Sequence, residues 1–395
     1  MTTQIKNQIL KSLAELISSH KQEIISENKK DIASVPNLDP SLLDRLKVDE
    51  GKVDGMVAAV EQVLSLPDPE GKTLSSYTHP NGMLVENRVV PFGNILIIYE
   101  SRPDVTIEAA ITAFKAGNKI ILKGGKEARL SNLYLVELWH KALEKNGADV
   151  SYVQYLDLPR EEVQKLIRNE RGEKVDLIIP RGGEGLINYI KQNSTAPVII
   201  SGRGNNFLYV DEDADFDMAT EIILNGKSRL SVCNALDKVL FNENIPNLDL
   251  VIKSVYEKLE AMGIEVLGDK ATCDMNENIH QITDDTIFAE EFLSAKILQS
   301  TVKDLDEAIT LINKYSGGHS ASIVTKDLEK ATKFQNEVDC AAVYHNASTR
   351  FTDGGEFGFG AEIAISTQKL HFRGPLGLGE LVTNKWFISG TGQVR

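Results

Sequence analysis

A chain of 395 residues is long enough for two or three domains with substantial cores, and 42% hydrophobic with 25% charged residues leaves little room for disorder. Against 57 Asp and Glu stand 43 Lys and Arg; the net charge of -14 argues against non-specific nucleic-acid binding, so any anionic ligand must be held by local basic groups. Three scattered cysteines, Cys233, Cys273 and Cys340, are too few for a disulfide framework or a zinc site, and no stretch reads as a signal peptide or a bilayer span, which together predict a cytoplasmic protein without metal or membrane.

Residues 1–65 carry apolar positions at helical spacing, from Ile5, Ile9 and Leu13 through Leu42 and Leu46 to Val57 and Val60, broken at Pro36 and Pro40. This predicts a helical opening segment. Over 71–91 the pattern shortens to β-like runs around His79-Pro80-Asn81-Gly82, where Asn-Gly is a hairpin signal. A hairpin that cannot bury both faces alone often pairs with another subunit. Apolar runs at 95–99, 119–122, 150–156, 175–179, 198–200 and 207–210 then read as strands, and 106–116, 127–145, 160–169 and 184–192 as helices. Such alternation predicts a parallel sheet covered on both faces, with ligands at the carboxyl ends of its strands.

Two of those strand ends carry glycines and positive charge: Lys123-Gly124-Gly125-Lys126, and Arg181-Gly182-Gly183 just before a helix. Glycine lets a backbone approach a ligand and a helix N-terminus favours phosphate, so a dinucleotide is the natural guest, although neither run is a G-x-G-x-x-G. Lysine near the adenosine ribose favours the 2′-phosphate of NADP over the free hydroxyls of NAD.

A second αβ region begins near 211, with helices at 214–226, 247–261, 304–315 and 327–337 and β runs at 237–241, 264–267, 321–324 and 341–344. Between its first helix and first strand lies Cys233. A lone cysteine is more often a small buried hydrophobe than a nucleophile. Here Lys227 and Arg229 favour a thiolate, and Ser231 could cap a turn whose amides point at the sulfur. The dense polar and glycine run at 346–360 reads as a loop, where sites are assembled. The run at 381–390 reads as an edge strand open to the hairpin or to a partner subunit.

The Cys233 segment, Ile98-Tyr99-Glu100-Ser101-Arg102-Pro103, the run 123–128, the turn 180–183 and the stretch 346–374 with Ser366-Thr367-Gln368-Lys369-Leu370-His371 closely resemble the γ-glutamyl phosphate reductases. That family is a branch of the aldehyde dehydrogenase superfamily. The resemblance runs from about residue 85 to the C-terminus and implies an α/β fold, aldehyde dehydrogenase-like: a Rossmann-type cofactor domain, an α/β catalytic domain and a β-arm for oligomerisation. On this sequence it implies a helical part of the cofactor domain at 1–70, an oligomerisation hairpin at 71–90, an NADP-binding domain at 91–210, a catalytic domain at 211–365 and a C-terminal return strand at 366–395. It also implies NADPH-dependent reduction of L-glutamyl 5-phosphate to L-glutamate 5-semialdehyde in proline synthesis, by a homo-oligomer. Association with the glutamate 5-kinase that makes the labile acyl phosphate is compatible with it.

By the resemblance Cys233 is the nucleophile, with Asn234 the nearest side-chain donor for the oxyanion and Glu291 at the position that holds the nicotinamide ribose. A substrate bearing a carboxylate and a phosphate needs cations, for which Arg102, Arg350 and Lys369 are candidates, with Asn346, Ser348 and Thr349 as neutral donors. Hydrolytic relatives place a glutamate upstream of the cysteine to activate water, and the corresponding segment 197–204 has no carboxylate. The alternative is a hydrolytic or coenzyme-A-acylating dehydrogenase of a related semialdehyde, and the missing carboxylate speaks against hydrolysis. Ile200-Ser201 and Asn206-Phe207 depart from the branch pattern.

Overall fold

The computed structural model describes the backbone of residues 1–395 and every side chain except those at 40 and 41. It divides into two units, one formed by Met1–Ile200, Gly358–Ala364 and Pro375–Arg395, the other by Ser201–Phe357 and Ile365–Gly374.

The first unit opens with α1 (Thr3–Ser19), α2 (Lys21–Ser34), α3 (Pro40–Leu46) and α4 (Glu50–Ser65). The helical periodicity does what it predicts: Ile9, Leu10, Leu13 and Ile17 form one buried face of α1, while Asp49 caps α4 by accepting from the Lys52 amide at 3.0 Å. The hairpin follows as β1 (Thr73–Thr78) and β2 (Leu84–Pro91), then β3 (Asn94–Tyr99), α5 (Val105–Lys115), β4 (Lys119–Lys123), α6 (Arg129–Lys145), β5 (Val153–Tyr155), α7 (Arg160–Ile167), β6 (Leu177–Arg181) and α8 (Glu184–Asn193). The parallel sheet runs in the order β5-β4-β3-β6. The run at 198–200 contributes only a bridge from Val198 to Ile178, where a strand was expected.

Buried charge ties α1 to α5. Lys6 and Lys115 each reach one oxygen of Asp68 at 2.6 Å, and all three side chains are at most 6% exposed. Burial pushes the Asp68 carboxyl up, but hydrogen bonds from Lys115, Lys6 and Thr3 outweigh it and hold the group below 3.8. Asp68→Asn takes the carboxylate from the buried Lys115 ammonium and leaves Lys6 with Glu70 at 3.0 Å, and we expect urea unfolding to show a loss of about 3–5 kcal/mol at neutral pH. Because a depressed carboxyl contributes stability above its unfolded value and loses it as pH falls through the folded one, the gap to wild type narrows below pH 3.8.

The second unit continues with β7 (Asn206–Val210), α9 (Phe216–Gly226), β8 (Leu236–Asn242), α10 (Leu248–Ala261), β9 (Glu265–Gly268), α11 (Lys270–Met275), β10 (His280–Gln281), β11 (Lys296–Val302), α12 (Leu305–Tyr315), β12 (Ser320–Val324), α13 (Leu328–Glu337) and β13 (Ala342–His345). These strands form a seven-stranded parallel sheet in the order β10-β9-β11-β8-β7-β12-β13. The run at 207–210, expected to close the first domain, is instead β7, hydrogen-bonded between β8 and β12. The change of unit therefore falls at Ile200 and Ser201. Periodicity did not reveal β11, whose Lys-Ile-Leu-Gln-Ser-Thr-Val mixes polar with apolar residues, yet it is buried between β8 and β9.

Short strands β14 (Ile365–Ser366) and β15 (Gly374–Pro375) precede β16 (Val382–Ser389), which pairs antiparallel with β2 from Val382 opposite Pro91 to Ser389 opposite Leu84. The C-terminal edge strand thus joins the hairpin of its own chain. In that register Tyr77, Trp386 and Ile388 share one face of the three-stranded arm, each at least half exposed. Among the described residues no helix is long and apolar enough to cross a membrane.

Candidate active site

Between the end of α9 and the start of β8 the chain makes a loop, and a turn closed by the Ala235 amide on the Val232 carbonyl (3.1 Å) carries half-buried Cys233. Gly204, just before β7, and Asn206, its first residue, hold that turn in place. A Cβ at Gly204 would lie 1.8 Å from the Cys233 carbonyl oxygen, so the two backbones touch where only glycine fits. The Asn206 amide nitrogen lies within reach of the carbonyls of Gly204 (2.9 Å), Cys233 (2.7 Å) and Ala235 (2.6 Å). Asn206, a departure from the branch pattern in sequence, is in space the side chain that grips the thiol's loop.

Charge around the thiol differs from the sequence expectation. Lys227 is fully buried and paired with Asp237 at 2.9 Å, so it faces the core and not the sulfur. Arg350 takes that place. Burial, then the like charge of Arg229, pull its guanidinium below the usual arginine value, while Asp353, Cys233 and Glu356 act the other way. Cys233 and Arg350 are therefore within each other's electrostatic reach, and a cation there favours a thiolate.

Asn234 does not fit the role of oxyanion donor. Its amide hydrogens go to the carbonyls of Arg350 (3.0 Å) and Thr352 (3.1 Å), and its Oδ1 accepts from the Arg350 guanidinium. A buried amide committed in this way builds the loop. The three neutral candidates also bind nearby backbone. Thr349 donates to the Asn234 carbonyl at 3.0 Å, and Ser348 accepts from the Arg350 amide at 3.3 Å. Asn346, at φ 53°, brackets the Thr325 backbone from both sides, accepting from its N–H and donating to its carbonyl, each at 3.1 Å. These contacts shape the 346–352 loop around Arg350.

Of the other candidates, Glu291 accepts from the Gly204 amide at 2.9 Å, which joins it to the Cys233 loop. Lys369 stands apart from that cluster in its contacts, pairing with Asp339 at 3.0 Å beside Arg373. Cys273 and Cys340 are raised by burial, Cys340 to about 11, which suits inert thiols. Among the described residues no cluster could hold a metal ion.

In the first unit, Lys123 and Arg181 end β4 and β6 on either side of β3, in register with Ile98 and Tyr99. Burial lowers the Lys123 ammonium against the pull of Asp157 and Glu127, while Lys126 is exposed. A cationic edge at the carboxyl ends of parallel strands fits a dinucleotide phosphate. The glycines, however, are filled by the chain's own side chains. A Cβ at Gly124 would meet Asn132 Nδ2 at 2.1 Å, and one at Gly125 would meet Glu127 Oε1 at 2.0 Å. At the start of α8 the Gly183 amide donates to Glu100 Oε2 at 3.0 Å, and Gly182 is packed against the same carboxylate. The helix end predicted to favour a phosphate already faces an anion. Arg102, on the same unit, lies 3.6 Å from Asp104.

Two units built on parallel sheets, one with a cationic strand edge and one with a thiol on a glycine-backed loop, fit the aldehyde dehydrogenase class of oxidoreductases, which use a nicotinamide cofactor. A model of the aldehyde dehydrogenase family matches residues 1–282 and 277–361. The chain is 47% identical to the gamma-glutamyl phosphate reductase of Clostridium perfringens strain SM101 and 44% identical to that of Carboxydothermus hydrogenoformans, in each case over 100% of this chain and 95% of the relative. The crystal structure of the Thermotoga maritima gamma-glutamyl phosphate reductase is similar at a TM-score of 0.93 and 42% identity, covering 100% of this chain and 95% of that one. The chain belongs to the gamma-glutamyl phosphate reductases within the aldehyde dehydrogenase family.

Proposed function

We propose that the protein reduces L-glutamyl 5-phosphate to L-glutamate 5-semialdehyde with release of phosphate, using Cys233 as nucleophile and NADPH as hydride donor, in the cytoplasmic synthesis of proline from glutamate. The observation that carries this reading is the match of the whole chain, at 44% and 47% identity, to gamma-glutamyl phosphate reductases. In the first step the Cys233 thiolate attacks the acyl carbon; a C–S bond forms, and the C–O bond to phosphate breaks as phosphate leaves with the electron pair. Bound NADPH supplies the hydride that reduces this thioester to the semialdehyde and frees the thiolate.

The chain's own residues support each part. Arg350 provides positive charge for the thiolate and for the anionic substrate. Glu291 is the residue proposed for the nicotinamide ribose, and Lys123, Lys126 and Arg181 for the phosphates, with Lys126 favouring NADPH over NADH. The 197–204 segment carries no carboxylate to activate water, so the acyl group passes between phosphate and sulfur. The exposed face of the arm, with Tyr77, Trp386 and Ile388, suits a homo-oligomer contact.

The test is the reverse reaction: glutamate 5-semialdehyde with NADP or NAD, followed by absorbance of the reduced nucleotide with and without phosphate. We expect reduction of NADP that requires phosphate. Reduction that ignores phosphate would place the protein with hydrolytic dehydrogenases, and none at all would overturn the reading. A second expectation concerns Glu100. Removing a negative charge from the start of α8 is worth about 0.3–1 kcal/mol to an incoming anion, so Glu100→Gln strengthens NADPH binding about two- to fivefold by fluorescence titration. Unchanged affinity would show that no cofactor phosphate uses this helix end.

A further inference from the structure

Lysine at the start of β8 is an expensive choice for a core strand. Lys238 is fully buried, and its ammonium touches three partners: Asn205 Oδ1 at 2.9 Å, the Glu290 carbonyl at 2.7 Å, and the face of the Phe292 ring at 3.7 Å. Its neighbour Asp237, also buried, accepts from the Phe292 amide at 2.9 Å with one oxygen while the other holds Lys227. Two consecutive residues therefore take hold of the backbone on both sides of Glu291.

The same grip extends to the thiol. Asn205, held by Lys238, fixes its own amide on the carbonyls of Phe288 (2.7 Å) and Tyr315 (2.8 Å). It is flanked by Gly204, whose amide donates to Glu291 and whose backbone lies against Cys233, and by Asn206, whose amide binds the Cys233 carbonyl. Well-packed apolar residues usually stabilise a core as well as or better than a buried ion pair such as Asp237–Lys227, and Lys238 is held by neutral groups, so stability alone does not explain these buried charges. Burial pulls the Lys238 ammonium down to about 7 in spite of Asp237, which measures how unfavourable the position is for a charge.

We propose that Asp237 and Lys238 are positioning residues for the reaction: they clamp the Glu290–Phe292 backbone to the Gly204–Asn206 segment and so fix the Glu291 carboxylate relative to the Cys233 thiol. This rests on the function proposed above, in which Glu291 serves the cofactor. A clamp of this kind acts on cofactor binding only through Glu291, and that makes it separable from a general contribution to folding.

The test is a double-mutant cycle on the full chain with Lys238→Met, Glu291→Ala and the pair, reading NADPH affinity by fluorescence titration and thermal stability in parallel. Lys238→Met is expected to weaken NADPH about tenfold in the wild-type background and less than about twofold once Glu291 is gone. Lys238→Gln, which keeps a donor for Asn205 or Glu290, is expected to recover part of the loss and serves in its place if the methionine variant does not fold. Additive losses, or a Lys238 variant that loses thermal stability but no NADPH affinity, would overturn the clamp. If wild type binds NADPH and Glu291→Ala binds it equally well, the assignment of Glu291 falls and the clamp with it. If wild type does not bind NADPH, the functional reading is at fault.

Discussion

Cys233→Ala is expected to abolish phosphate-dependent reduction of NADP, lowering kcat by about 10⁴-fold or more while the protein stays folded and still binds NADPH. The size of the effect follows from what the sulfur does. Without it no covalent acyl group is held for the hydride to reduce, and the cationic and amide groups around the site have nothing to orient. The folding cost is small because Cys233 is half-buried in a turn, and its loop is held through backbone carbonyls and not through the thiol. Stability within about 1 kcal/mol of wild type is therefore expected. Cys273→Ala provides the contrast: that thiol lies by the carbonyls of Gly268 and Ile279 and its loss leaves activity unchanged. Substantial turnover by Cys233→Ala would remove the nucleophile from the mechanism.

Much of this architecture was legible in the sequence where one physical signal dominated. Helical spacing placed α1 and α4, the Asn81-Gly82 turn placed the β1–β2 hairpin, and alternating apolar runs placed β3, β4 and β6. Position in the chain was a weaker guide. The run at 206–210 looks the same whichever sheet it joins, and only its pairing with β8 and β12 decides the matter. Strand β11 was hidden because polar residues are buried within it: Ser300 donates to Asp269 at 2.7 Å, and the Gln299 side-chain amide is buried without a hydrogen-bond partner among the described residues. The site divides in the same way. Residue type pointed to Cys233 and Arg350, but the commitments of Asn234, Asn346, Ser348 and Thr349 to nearby backbone depend on folded geometry. Glu100 stood within a family motif and Asn206 as a departure from one, but nothing local told what they or Lys238 do, since an acid, an amide and a lysine are ordinary residues until their partners are known.

Gly204→Ala is expected to lower kcat/KM by about 10²- to 10³-fold without unfolding the chain. The added methyl would sit 1.8 Å from the Cys233 carbonyl oxygen, 2.4 Å from its carbonyl carbon and 2.5 Å from its Cα. All three are backbone atoms, so no rotamer change relieves the clash. Restoring an ordinary contact of about 3.4 Å means parting the two segments by about 1.6 Å. Displacements near 1 Å already cost about 100-fold where a nucleophile must meet a carbonyl carbon at the right distance and angle. The same shift pulls the Gly204 amide from Glu291 and stretches the Asn206 contacts that hold Cys233 and Ala235. Gly202→Ala is the comparison, because its Cβ would meet the Thr367 side chain, Cγ2 at 2.1 Å and Cβ at 2.7 Å, and not the Cys233 backbone. Steady-state kinetics of the two variants decide the matter. A large loss at Gly204 with a small one at Gly202 shows that backbone contact sets the position of the thiol. Equal losses would mean that any added bulk in the 201–204 segment disturbs the site, and near-wild-type activity of Gly204→Ala would mean that the Cys233 turn moves freely and owes its place to something other than this contact.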